Sequence, residues 1–215
     1  MSSRHHAARR HLLRVDPALG RVIRTVGACT LSPRRQGTHF EALARAICGQ
    51  QVTGHVANVI FGRVRALSRT GRFPSAPEVL ALGNTRLRSA GLSRQKAAAL
   101  LDLAAHVVDG KVPLGSLGRL EDDAIIDALT SVRGIGTWTV QMLLIFRLGR
   151  PDVLPTTDYG VQKGLAVVDG SSTLPRPRDV LARGAAWAPF RSVASWYLWR
   201  ATELPPMNVR DPAAR

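Results

Sequence analysis

The segment Val132-Arg133-Gly134-Ile135-Gly136 constrains this chain most, because it sits between two stretches of helical periodicity. Gly134 and Gly136 permit a tight turn and a close backbone approach. Between them, Ile135 can turn inward while successive N–H groups face out at the start of the next helix, where negative charge is stabilised. No Lys-Ser/Thr pair follows, as a triphosphate loop requires, so a single phosphate is the expected guest. The flanking helices run from Glu121 to Thr130, with acids in the first turn where the dipole favours them, and from Thr137 to Leu148. Gly149-Arg150-Pro151 stops the second.

Helical spacing recurs along the rest of the chain. Asp16-Pro17 reads as a cap and first helical residue, followed by an apolar face of Leu19, Val22, Ile23 and Val26. Phe40, Leu43, Ala44, Ile47 and Gln51 define another helix, ending at Gly49-Gln50-Gln51, and a further one runs through Val56, Ile60 and Val64. Ser75-Ala76-Pro77-Glu78 has the form of a capping box, Asn84 caps a short helix, and Ser93 opens a longer one that stops at Gly110. Helix resumes near Asp158, then from Asp179 to Trp187, and finally from Pro189 to Glu203. Residues 1–10 (MSSRHHAARR) form a basic, low-complexity start and are expected to be disordered, and the tail from Pro205 is expected to be frayed. No stretch alternates with period two, so the expected fold class is all-α.

The formal net charge is +15, which makes a polyanion the first partner to expect. The two cysteines, Cys29 and Cys48, form no CxxC and support neither a disulfide framework nor a zinc site. No apolar run reaches the length of a membrane span and the start lacks a signal-peptide core, so a cytoplasmic, nucleoid-associated protein is expected.

Three groups of residues stand out beyond the hairpin. Asp158 follows Pro155-Thr156-Thr157 at a helix start, where an aspartate serves either as an N-cap or as a fixed carboxylate. Gln50-Gln51 breaks an apolar pattern at a helix end, as a cap or as a group presented to a partner. Trp138 lies one turn from Met142, and Trp196 lies three residues from Trp199; such aromatics either pack in a core or offer ring faces to a cation.

The pattern Val-x-Gly-Ile-Gly-x-Trp-Thr with its Pro-x-x-Asp, together with Ile47-Cys48-Gly49-Gln50-Gln51-Val52-Thr53 upstream, resembles the helix-hairpin-helix DNA glycosylases. It is most similar to the 3-methyladenine DNA glycosylase II branch, and the likeness extends from about His11 to Glu203. The resemblance implies two helical lobes with the active cleft between them: residues 40–150, ending in the hairpin motif (about 121–148), and a discontinuous lobe of 11–39 plus 151–215. It also implies a monofunctional hydrolase that initiates base excision repair. Such an enzyme flips an alkylated base of the 3-methyladenine or 7-methylguanine type out of duplex DNA and cleaves its N-glycosidic bond.

By the same resemblance Asp158 is the catalytic carboxylate. Trp138, Met142, Tyr159 and Trp199 bind substrate, Met142 standing where some members have tyrosine. Gln51 is the wedge that fills the gap left by the flipped base, with Gln50 beside it. Arg133, Gly134, Gly136 and Thr139 hold DNA phosphates. Backbone carbonyls of Thr130, Val132 and Gly134 match a structural Na+ or K+ site, and no other cofactor is required. Some members hold an iron–sulfur cluster on four cysteines near the C-terminus, which this chain cannot do. Bifunctional relatives carry a Schiff-base lysine two residues after the second hairpin glycine, where this chain has Trp138, so no lyase activity is expected. The expected partner is double-stranded DNA, bound by a monomer. Two rivals are a non-catalytic helix-hairpin-helix module and a glycosylase for oxidised or mismatched bases; an oxidised neutral base calls for hydrogen-bonding side chains rather than tryptophan faces.

Overall fold

The computed structural model describes residues 3–205, and all regular elements among them are helical. In order they are α1 (Ser3–Val15), α2 (Pro17–Val26), α3 (His39–Gly49), α4 (Gly54–Ala66), α5 (Ala76–Ser89), α6 (Arg94–Val108), α7 (Asp122–Thr130), α8 (Thr137–Leu143), α9 (Tyr159–Asp169), α10 (Pro177–Gly184) and α11 (Arg191–Ala201). The all-α expectation holds. No helix among the described residues is long and apolar enough to cross a membrane.

Most helix starts follow from their capping residues. Asp16 accepts the Leu19 amide at 3.0 Å, Thr38 that of Glu41 at 3.0 Å and Ser93 that of Lys96 at 3.2 Å. The capping box forms, with the Ser75 amide donating to Glu78 at 2.7 Å. Gly83, at φ +68° and ψ 175°, kinks α5 one residue before Asn84.

Four expectations need correction. Residues 3–10 are helical within α1 rather than disordered, because Ala8 and Leu12, four apart, are fully buried beneath the basic surface. Met1, Ser2 and the tail after Pro205 lie outside the described residues. The helix after the hairpin does not stay α-helical to Leu148: it changes at Leu144 to a π-helical turn over Leu144–Leu148, and the Arg150 amide donates back to Leu144 O at 2.9 Å. Pro177 opens α10 two residues before the expected Asp179, as its fixed φ suits a first helical position. The last helix begins at Arg191, after Pro189.

The chain divides into two compact units. One is contiguous, from Arg34 to Leu143; the other joins the residues up to Pro33 with those from Leu144 on. Both boundaries fall earlier than the expected 39/40 and 150/151. The later one moves because the π turn packs with α11: Phe146 stacks on Trp199, and Ser192 Oγ donates to Arg150 O at 2.7 Å. The Arg191 guanidinium also grips both carboxylate oxygens of Asp152, at 2.7 and 2.8 Å.

Leu12, Leu19, Val22, Ile23, Trp187 and Tyr197 are fully buried in the core of the discontinuous unit. There α9 and α11 cross closely, because a Cβ on Gly164 would lie 2.1 Å from Leu198 O. The contiguous unit buries Leu43, Ile47, Leu100, Leu103, Ile125 and Leu129 completely. Each unit holds one buried free thiol, Cys29 and Cys48 respectively, and burial pushes both up to about 11.

Candidate functional site

Asp158 caps α9 in the discontinuous unit. Its Oδ1 accepts the Val161 amide at 2.8 Å and the indole Nε1–H of Trp199 at 2.7 Å. The approach is fixed as well: the Asp158 amide donates to Pro155 O at 3.0 Å, and Gln162 Nε2 donates to Thr156 O at 3.0 Å. The cap and the fixed carboxylate, alternatives in the sequence, are therefore the same group. Trp199 comes from α11 and stacks on Phe146, with ring centroids 5.4 Å apart and planes inclined by 26°. Its N–H edge is committed to Asp158, so Trp199 orients the carboxylate as well as lining its surroundings.

Gly160 makes that contact fit. A Cβ there would meet Trp199 Cδ1 at 2.6 Å and Asp158 Oδ1 at 3.1 Å. Sequence reasoning passed over Gly160 and Phe146. The signal for Gly160 was a glycine inside the first helical turn, where no turn geometry calls for one. Tyr159 points into solvent, 63% exposed, and Trp196 packs edge-on against Tyr197 at 5.0 Å.

The hairpin belongs to the contiguous unit. Val132 and Ile135 are buried, as its geometry requires, while Arg133, Gly134 and Gly136 are exposed. Gly134 has φ +76°, a conformation that favours glycine. The Ile135 amide closes on Val132 O at 3.1 Å, and the Val140 amide makes the first bond of α8, to Gly136 O at 3.2 Å. The amides from Gly136 to Thr139 precede that bond, at the anion-binding end of the helix. Thr139 has its side chain buried, Met142 is half-buried, and Trp138 is 47% exposed. Trp138 and Met142 thus belong to one unit, and Asp158, Tyr159 and Trp199 to the other.

Gln50 and Gln51 form the turn from α3 to α4. Gln51 is exposed and stands at φ +55°, the positive-φ residue other than glycine among the described residues. Gln50 faces the hairpin, and its Nε2 donates to Gly134 O at 2.7 Å. That carbonyl is one of the three matched to a cation site; Val132 O accepts the Ile135 amide. Each carbonyl oxygen keeps a second lone pair, and neutral oxygens suit a weakly held monovalent ion, so the donor set fits one.

Residues 44–189 match the sequence profile of the HhH-GPD superfamily of base excision DNA repair proteins. The chain belongs to this superfamily. The HhH-GPD assignment agrees with individual relatives. The chain is 34% identical over 198 residues to DNA-3-methyladenine glycosylase 1 of Schizosaccharomyces pombe, covering 90% of this chain and 86% of that one. The solved S. pombe 3-methyladenine DNA glycosylase in complex with abasic DNA superimposes with a TM-score of 0.82 at 34% identity, covering 94% and 98% of the two chains. A DNA-3-methyladenine glycosidase from Bacillus halodurans gives a TM-score of 0.80 at 31% identity, covering 89% and 86%.

Proposed function

We infer that this protein is a DNA glycosylase that removes alkylated bases, of the 3-methyladenine and 7-methylguanine type, from double-stranded DNA and so starts base excision repair. The carrying observation is Asp158, held by the Val161 amide and the Trp199 indole at 2.8 and 2.7 Å. Cleavage of an N-glycosidic bond develops positive charge on the deoxyribose, and a carboxylate fixed in advance stabilises that charge where it forms. Asp158 also orients the attacking water. The lesion is flipped out of the stack, Gln51 enters the gap, and the cationic alkylpurine meets the exposed ring of Trp138, with Met142 one turn further on.

The amides of Gly134, Gly136 and Thr139, with Arg133, take phosphates beside the lesion. A Na+ or K+ on the carbonyls of Thr130, Val132 and Gly134 would stiffen the hairpin and supply fixed positive charge near that phosphate. Trp138 stands at the Schiff-base position, and Lys163 lies exposed on α9, so the enzyme hydrolyses without cutting the strand. One flipped base needs one catalytic carboxylate, and the working form is a monomer.

The test is release of free bases from methylated duplex DNA, resolved by chromatography, for wild type and Asp158→Asn. The wild type is expected to release methylated purines and the variant at least about a hundredfold less, the scale of losing a fixed electrostatic stabiliser. A wild type that binds DNA but releases no base would instead be a binding module.

A further inference from the structure

At 15 residues α6 is the longest helix of the contiguous unit, and none of its side chains belongs to the site described above. Three of its residues nevertheless meet the two DNA-facing loops. Lys96, Ala99 and Asp102, three apart along one face, act on two different backbones. Lys96 Nζ donates to Cys48 O at 2.9 Å, at the carbonyl end of α3 where a cation is favoured. Ala99 backs the hairpin so closely that a Cβ on Gly134 would come within 3.2 Å of it. Asp102 Oδ2 accepts the Arg133 amide at 2.7 Å, and His106 Nδ1 lies 2.9 Å from the Asp102 carbonyl oxygen and 3.6 Å from its Oδ1. The Gln50–Gly134 bond closes the frame by joining the α3–α4 turn directly to the hairpin.

We propose that Gln50, Lys96 and Asp102 are positioning residues that fix the spacing between the Gln51 turn and the hairpin, so that wedge and phosphate anchor engage the same nucleotide in register. The proposal rests on the glycosylase function inferred above. Opposite charges on one helix face are matched to opposite backbone groups, an ammonium to a carbonyl and a carboxylate to an amide. Gln51 adopts a left-handed conformation that a non-glycine residue holds only where its surroundings impose it. The Gln50 side chain on one side and the Lys96 bond on the other supply that constraint. Gln50, expected to face DNA, spends one of its amide N–H donors within the protein.

The experiment uses the full chain and the variants Gln50→Ala, Gln50→Glu, Asp102→Asn, Gln51→Ala and Gln50→Ala/Gln51→Ala. Single-turnover excision is followed on a duplex with one alkylated purine and on the same lesion in an unpaired bulge. Affinity for undamaged duplex and thermal melting are measured in parallel, and 2-aminopurine beside the lesion reports flipping. Loss of Gln50 or of the Asp102 carboxylate is expected to slow excision from the paired duplex tenfold or more. Affinity for undamaged DNA should change less than threefold, and the bulged lesion should be excised at a near-normal rate. The double variant should be no slower than Gln51→Ala alone, because Gln50 acts through Gln51.

Additive losses, or an affinity loss as large as the rate loss, would make Gln50 a direct DNA contact and overturn the proposal. So would a bulged lesion slowed as much as a paired one. Gln50→Glu, a half-exposed isosteric change, keeps the test open if Asp102→Asn melts early. A wild type that flips the 2-aminopurine neighbour without releasing base fails the functional inference alone. Variants that flip as the wild type does fail the brace alone, and a wild type that does neither overturns both.

Discussion

The Asp158 carboxylate accepts from donors that come from very different distances in the chain. The Val161 amide is local and follows from any aspartate capping a helix; the Trp199 indole lies forty-one residues away. Trp199→Phe keeps a ring for Phe146 and removes only the N–H. A hydrogen bond to a charged group contributes about 1.5–3 kcal/mol. Single-turnover excision by Trp199→Phe should therefore fall roughly tenfold to a hundredfold, with DNA affinity nearly unchanged; equal excision would show that the indole only packs. The capping role of Asp158 was legible because Pro155-Thr156-Thr157 sets it at a helix start. The bond to Trp199 was not, since no local pattern says which face of α11 meets α9. The left-handed Gln51 was equally hidden, since glutamine has no intrinsic preference for positive φ.

At the scale of elements, the crossing of α9 and α11 places the indole. Gly164→Ala tests it, because two effects oppose each other. Alanine in a helix interior usually gains up to about 1 kcal/mol over glycine. Here the new methyl would lie 2.1 Å from backbone oxygen Leu198 O, which cannot step aside as a flexible side chain would. Overpacking costs about 1–3 kcal/mol, so net destabilisation is expected, read as a lower denaturation midpoint. Asp152 and Arg191 join the segment before α9 to the start of α11. Burial by itself raises the Asp152 carboxyl, but the side-chain and backbone hydrogen bonds and the charge of Arg191 outweigh it and hold it below its ordinary value. A depressed carboxylate contributes stability that is present above its unfolded value and lost as pH falls through its folded one. Melting temperature should therefore decline in acid partly through this pair, and Asp152→Asn should flatten that limb. Most helices were legible through their caps. The α1 helix was not, because five arginines and histidines among its first eight residues mask the Ala8–Leu12 pair. Nor was the π turn, since Leu144–Leu148 keeps an ordinary helical composition.

Over the whole molecule the charge of +15 governs how DNA is met. If six or more phosphates are neutralised, affinity for duplex should fall roughly a thousandfold or more between 50 and 200 mM salt. Arg133→Ala should reduce the slope of log affinity against log salt by about one, and an unchanged slope would remove Arg133 from the interface. Cys29 and Cys48, each pushed to about 11 by burial, one in each unit, should resist thiol reagents at neutral pH. Their separate labelling rates then report how readily each unit opens; equal rates at all denaturant concentrations would mean the units open together.

The interrupted unit also bears on how the chain is made. The ribosome delivers α1 and α2 before the segment from Arg34 to Leu143, yet the helices that cover their apolar faces, α9 and α11, emerge only after it. That segment can fold as it leaves the tunnel, while Leu12, Leu19, Val22 and Ile23 wait unburied. The order of synthesis and the order of folding are thus opposed for these two units: α1 and α2 leave the ribosome before the contiguous unit and are covered after it. During that interval the nascent α1–α2 pair is the surface that needs protection from aggregation.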